Sequence, residues 1–223
     1  DATRRADARA PIVSYPWIGG VGSASQREAD APEPLAWRDP RVLPWHLIGT
    51  VGGHGHAAML GVIGFLVIDP LDLPLDQAQQ WIAIVLIAGA LASLLAQWWL
   101  IPQLALDPKQ LVVWGSVIAA VGATINGLST TVYGITMGFA LASLGFGLFR
   151  PGFTSGASLA VAPHEQNAVA GMVTSVNGVA FIAAPAAGVA LYGLAIPAPF
   201  LATSALMLAL AAWTGLRASR PGT

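Results

Sequence analysis

From Val42 onward the chain consists of six long apolar runs joined by short polar links, and runs of that length fit a lipid bilayer better than water. The clearest is Trp81–Ile101, WIAIVLIAGALASLLAQWWLI, which contains no charged residue. A hydrocarbon core of about 30 Å takes roughly 20 helical residues, so this run alone is long enough to cross it. Composition agrees: 55% of the 223 residues are hydrophobic and only 9% are charged, against about 25% charged in soluble domains. The 25 glycines also suit membrane helices. The expected fold class is therefore all-α, a polytopic membrane protein of six transmembrane helices.

The spans are expected at about 43–68, 81–101, 110–128, 131–159, 169–194 and 197–216. Residues 1–41 read as a flexible cytoplasmic segment, 42–218 as the transmembrane domain and 219–223 as a cytoplasmic tail. Orientation follows from the bases. Arg27, Arg38, Arg41, Lys109, Arg217 and Arg220 all fall on one side, with Arg4, Arg5 and Arg9 farther from the membrane. The opposite links hold Asp69, Asp72 and Asp76 and no base. The positive-inside rule then puts both ends in the cytoplasm. Trp81, Trp98, Trp99, Trp114 and Trp213 sit near the expected boundaries, as an aromatic belt requires.

Arg150 is the sharpest functional candidate. It lies well inside the fourth run and is followed by Pro151 and Gly152, where a bend is expected. An intramembrane arginine costs at least about 2.5–3.5 kcal/mol on insertion scales, so it should face a cavity or a partner rather than lipid. It either snorkels to helix-end carbonyls, or binds an anionic or polar substrate, or neutralises a carboxylate outside this chain. In the first run, GTVGGHGHAAML, His54 and His56 are two apart and point about 200° from each other, so they cannot share one pore or one metal. They are either a satisfied polar pair between closely approaching helices, with Gly49, Gly52, Gly53 and Gly55 allowing the approach, or one of them exchanges protons along a solute path. In the fifth run, Ser175 and Asn177 can bond across a helix interface or to a solute, while Pro185 and Gly188 read as packing or gating positions. Gln97 closes the second run near the interface and is a further candidate for the solute path.

The chain has no cysteine, so disulfides and thiolate metal sites are excluded. A net charge of −1 gives no sign of nucleic-acid binding. No GxxxxGK[ST] loop, HExxH motif or paired carboxylates occur in the runs, so no cofactor, no metal site and no enzyme activity is expected. His164–Glu165, in APHEQNAVAG, reads as a solvated cap at a cytoplasmic turn.

Taken in order, the connector AWRDPRV, the first run ending in GFLVIDPLDL and the block LGFGLFRPGFTSGASLAVAPHEQNAVAGMVTSVNGVAFIAAPAAGVALYG resemble the C-terminal half of a major facilitator superfamily transporter, nearest to drug:proton antiporter or sugar-efflux members. The block is similar to the family's tenth helix, inner loop and eleventh helix. The resemblance covers about residues 35–216. It implies that residues 1–41 belong to a central loop and that the chain works with a missing N-terminal six-helix half or a second copy. It also implies secondary transport of a small organic solute, with efflux the expected direction, coupled to a proton or ion gradient in a bacterial inner membrane. The solute path would be lined by spans one, two, four and five, with Arg150 and Asn177 facing it. The family's paired-arginine gating loop has no counterpart here, since its place reads PQLALDPKQ. The competing function is a non-transporting membrane interaction or assembly subunit.

Overall fold

A computed structural model describes residues 35–71 and 73–218 of the chain. The expectations placed on residues 1–34, on Asp72 and on Arg220 lie outside the described residues. Among those described there is no strand, and six helices are long and apolar enough to cross a membrane. In chain order they are α1 (Leu43–Ile68), α2 (Leu75–Leu104), α3 (Pro108–Leu128), α4 (Val132–Leu159), α5 (Gln166–Leu194) and α6 (Ala198–Ala218). A short 3₁₀ turn, Pro163–Glu165, leads into α5.

The helix ends follow local chemistry more closely than they follow hydropathy. α2 starts at Leu75 rather than near Trp81, because Pro74 sets its entry and Asp76 in the first turn complements the helix dipole. Its polar first turns carry the helix beyond the apolar run. At the other end the helix does not stop before Pro102 but widens to a π turn over Ala96–Leu100 and resumes over Ile101–Leu104. Pro102 cannot donate to the carbonyl of Trp98 and its ring crowds that group, and a wider preceding turn gives it room.

Ala105 then stops the helix in a left-handed conformation, φ 46°. An L-residue with a Cβ pays for that conformation and glycine does not. Ala105→Gly is expected to raise stability by about 0.5–1 kcal/mol, read as a higher melting temperature in detergent; a drop would show that the αL turn is not formed. α3 begins immediately afterwards with a capping box. The Asp107 carboxylate accepts from the Gln110 amide N–H at 2.9 Å, and the Gln110 side chain accepts from the Asp107 N–H at 3.1 Å.

Both internal prolines lie within continuous helix: α4 runs unbroken past Pro151 and α5 past Pro185. Ser155 and Thr154 donate to the Pro151 carbonyl at 2.6 and 3.1 Å, adding hydrogen bonds in the proline-containing turn.

Without a hydrophobic drive between helices in lipid, association depends on close van der Waals fit. The tightest seam is α3 against α4. Gly115, Ala119 and Gly122 of α3 lie in the grooves between Gly138, Ala142 and Gly145 of α4. A Cβ on Gly122 would stand 2.6 Å from the Gly138 carbonyl oxygen, and one on Gly145 would stand 2.6 Å from the Gly115 carbonyl oxygen. Beyond that seam, α1 packs on α4, α5 and α6, α2 on α4, and α3 on α6.

Helices α1, α3 and α5 begin at one end of the bundle, where α2, α4 and α6 finish. Arg38, Arg41, Lys109 and Arg217 lie at this basic end, and Asp69 and Asp76 lie at the other. Trp81 and Tyr133 meet edge to face, ring centroids 5.6 Å apart, at the acidic end. Trp45 and Trp213 stand at the basic end, and Trp98, Trp99 and Trp114 are exposed towards it.

Candidate functional site

Two stripes of residues with opposite sizes meet across the bundle. Gly49, Gly53 and His56 recur at helical spacing on one face of α1, with Gly52 beside them. On α4, Phe146, Arg150 and Phe153 recur at i, i+4 and i+7, with Phe149 beside them. The glycines create the space that the rings fill. A Cβ on Gly49 would stand 2.6 Å from the Phe153 ring, and a Cβ on Gly52 would collide with Phe149. The other glycines of α1 serve different neighbours: Gly53 approaches Ala180 of α5, and Gly55 approaches Thr203 of α6, which donates to the Gly55 carbonyl at 3.3 Å.

Where these stripes run out from the core, α1, α4 and α5 enclose a recess. Arg150 and His56 line it together with Asn177 and Phe181 of α5. It is small: about 10 Å³ is open to the centre of a water-sized sphere, which is room for one water or one oxygen of a ligand group. The His56 imidazole stacks on Phe146, centroids 4.3 Å apart and planes 12° apart, and meets the edge of Phe181. Asn177 donates to its own helix at the Val173 carbonyl, 2.9 Å, which leaves its side-chain oxygen uncommitted among the described residues.

Arg150 is exposed on this face, about 13 Å along α4 from its end at Leu159 by helical rise. Among the described residues its guanidinium has no hydrogen bond and no ion pair. The carboxylates in the candidate spans, Asp76 and Glu165, lie at helix ends. A charged group thus stands inside the apolar length of the helix with no counter-charge from its own bundle.

The other candidates fall elsewhere. His54 points away from His56, holds the Thr50 carbonyl at 2.7 Å and lines a separate recess between α1, α5 and α6. Ser175 donates to the Gly171 carbonyl at 3.0 Å and is exposed on another face of α5. Gln97 is exposed on α2, bonded to Ser93 at 3.2 Å. No residue of α2 lines the Arg150 recess; α2 packs on the flank of α4 instead. Gly152 faces α3, where a Cβ would stand 2.9 Å from that of Leu111. It is therefore a contact position in a packed seam. Pro185 and Gly188 of α5 pack against α1: a Cβ on Gly61 would be 3.0 Å from Pro185, and one on Gly188 would be 2.6 Å from the Ala58 carbonyl oxygen. The phenylalanines around Arg150 were overlooked in the sequence, although their spacing on its own face was a readable signal.

At the basic end, Arg41 ties the entry of α1 to the turn before α5. Its guanidinium donates to both carboxylate oxygens of Glu165, at 2.9 and 2.8 Å, and to Asp39 at 2.8 Å. Glu165 also accepts from the Ala162 N–H at 2.9 Å, so it caps the turn while His164 beside it stays exposed. Hydrogen bonds from the Arg41 side chain and backbone hold the Asp39 carboxyl below its usual range. A group with a depressed folded value stabilises above its unfolded value and loses that contribution as pH falls through the folded one. The melting temperature of Arg41→Gln should therefore lie slightly below that of the unchanged protein at neutral pH, and the gap should close in acid, below the ordinary aspartate range. A gap of the same size at both pH values would place the effect of Arg41 outside this ion pair.

The arrangement defines a class: an all-helical chain with six helices long and apolar enough to cross a membrane, consistent with a multi-pass integral membrane protein. In comparisons with known proteins, no family model matches the chain and no curated protein matches it.

Proposed function

We propose that the chain is one six-helix half of a secondary transporter of the major facilitator type, which moves a small organic solute with a proton or ion gradient and completes its path with a second half or a second copy. The observation that carries the reading is Arg150. A guanidinium without a counter-charge, set inside an apolar helix beside His56 and Asn177, is costly unless water or a solute reaches it.

Two further features support the reading. The main helix contacts exchange among themselves when α1 is swapped with α4, α2 with α5 and α3 with α6. The α1–α5 contact becomes α4–α2, and α3–α4 becomes α6–α1. Because each member lies three places along the chain from its counterpart, the two triplets cross in opposite directions, as in the 3+3 inverted repeats of this transporter type. α5 also carries Gly171, Ser175 and Gly178 on one exposed face, with no atom of the described bundle within 4 Å of where a Cβ on either glycine would lie. Small residues on an open face suit close approach of another helix, in keeping with a second half.

The test is flux. Vesicles containing the protein made from the gene that encodes this chain should move an organic solute when a proton or ion gradient is imposed, and lose that movement when an ionophore collapses the gradient. Solute movement that follows ATP rather than the gradient, or no movement across a broad solute panel, would overturn the proposal.

A further inference from the structure

We propose that the groove between α1 and α6 at the basic end is a binding site for one anionic phospholipid. At its mouth lies a cleft of about 390 Å³ that carries Lys109 from the first turn of α3 and Arg217 from the last turn of α6. The Arg217 guanidinium is held over the Trp213 ring, 4.3 Å from its centroid. Trp45 forms the facing wall, so two indoles flank the cations at the level where aromatic rings meet headgroups. Thr214 lines the same cleft; it is 3% exposed, and its hydroxyl has no partner among the described residues. Two cations and an unsatisfied hydroxyl donor together suit a phosphodiester.

Trp213 also lines a second recess, apolar and also about 390 Å³, between Leu47 and Val51 of α1 and Leu206 and Leu210 of α6. From Arg217 to Leu206 is about 16 Å by helical rise, roughly the depth of one leaflet of a 30 Å core. Charged mouth and apolar shaft thus match a headgroup and an acyl chain in both order and length. The residues that line the cleft include these two cations and no acid; Asp107, two residues before Lys109, accepts from the Gln110 amide in its capping bond. Basic pockets between helices on the positive side of a membrane are where anionic headgroups bind. This site is separate from the Arg150 recess and does not depend on transport.

The test is native mass spectrometry of the purified protein titrated with dioleoyl-phosphatidylglycerol or dioleoyl-phosphatidylcholine, which share their chains and differ in headgroup charge. The unchanged protein should retain the anionic lipid preferentially. That preference should fall about fivefold in Lys109→Gln or Arg217→Gln and about thirtyfold in the double variant. Filling the shaft with Leu206→Trp should reduce retention of the anionic lipid while leaving both cations in place. Equal retention of the two lipids by the unchanged protein, a measurement that needs no variant to fold, would overturn the proposal. So would an undiminished preference in the double variant. Displacement of the lipid by millimolar inorganic phosphate would also overturn it, by showing a phosphate site that takes no account of the chain.

Discussion

Arg150→Gln is expected to lower gradient-driven solute flux by a factor of at least ten while membrane insertion stays the same or improves. The two effects separate because they have different origins. Removing the guanidinium from the apolar length of α4 relieves an insertion cost of about 2.5–3.5 kcal/mol, so a purely structural arginine would be replaced without harm or with gain. An arginine that holds an anionic group of the solute, or sets the field felt by a coupling cation, would instead take the function with it. A single charge-assisted hydrogen bond contributes about 1.5–3 kcal/mol, a range that begins near tenfold. Full flux with an unchanged pH profile in Arg150→Gln would leave the residue as a snorkelling side chain.

Gly145→Val is expected to destabilise the bundle by about 3 kcal/mol, the upper end of the range for overpacking. The reason lies in what its Cβ would meet. The nearest atoms are all backbone, the Ala119 amide nitrogen first, then the Gly115 carbonyl oxygen at 2.6 Å and the Ala119 Cα at 2.8 Å, so no side chain can swing aside and α3 must move off α4. Gly178→Ala provides the contrast, because nothing of the described bundle lies within 4 Å of its Cβ position. By helix propensity that change should be neutral or stabilising, by up to about 1 kcal/mol. Comparable losses from both substitutions in a detergent unfolding assay would contradict the packing described for the α3–α4 seam. If the α5 face meets a second half, Gly178→Leu should reduce flux without altering the unfolding of this bundle.

Much of the fold was legible because apolar run length reports on the solvent directly. All six helices fall where the runs lie. What hydropathy could not show was how far a helix extends into water: Asp76, Gln77 and Gln79 are helical in α2 although they are polar. Nor could it show that Pro102 would be absorbed by a π turn instead of ending the helix. The site was partly readable. The 200° separation of His54 and His56 assigns them to different recesses, as the structure places them. Arg150 stood out as a charge in an apolar run, yet its aromatic surroundings depend on which faces of α1 and α4 meet, and that needs both stripes read together. Ser175 and Gln97 were singled out as polar residues in apolar runs, but each hydrogen-bonds within its own helix. A polar side chain satisfied locally gives no sign of where it faces.

Transport as proposed requires that the α1–α4–α5 recess open on water inside the membrane. The chain lacks cysteine, so single cysteines can be placed without background. Positions 150, 177 and 181 line the recess, and positions 87 and 91 lie on the exposed apolar face of α2. A membrane-impermeant maleimide applied to vesicles of both orientations should label the first three, with solute slowing the reaction at 177 and 181, where Arg150 is kept, and should leave the α2 pair unmodified. If positions 150, 177 and 181 resist the reagent as fully as positions 87 and 91, the recess faces lipid or protein and the transport reading fails.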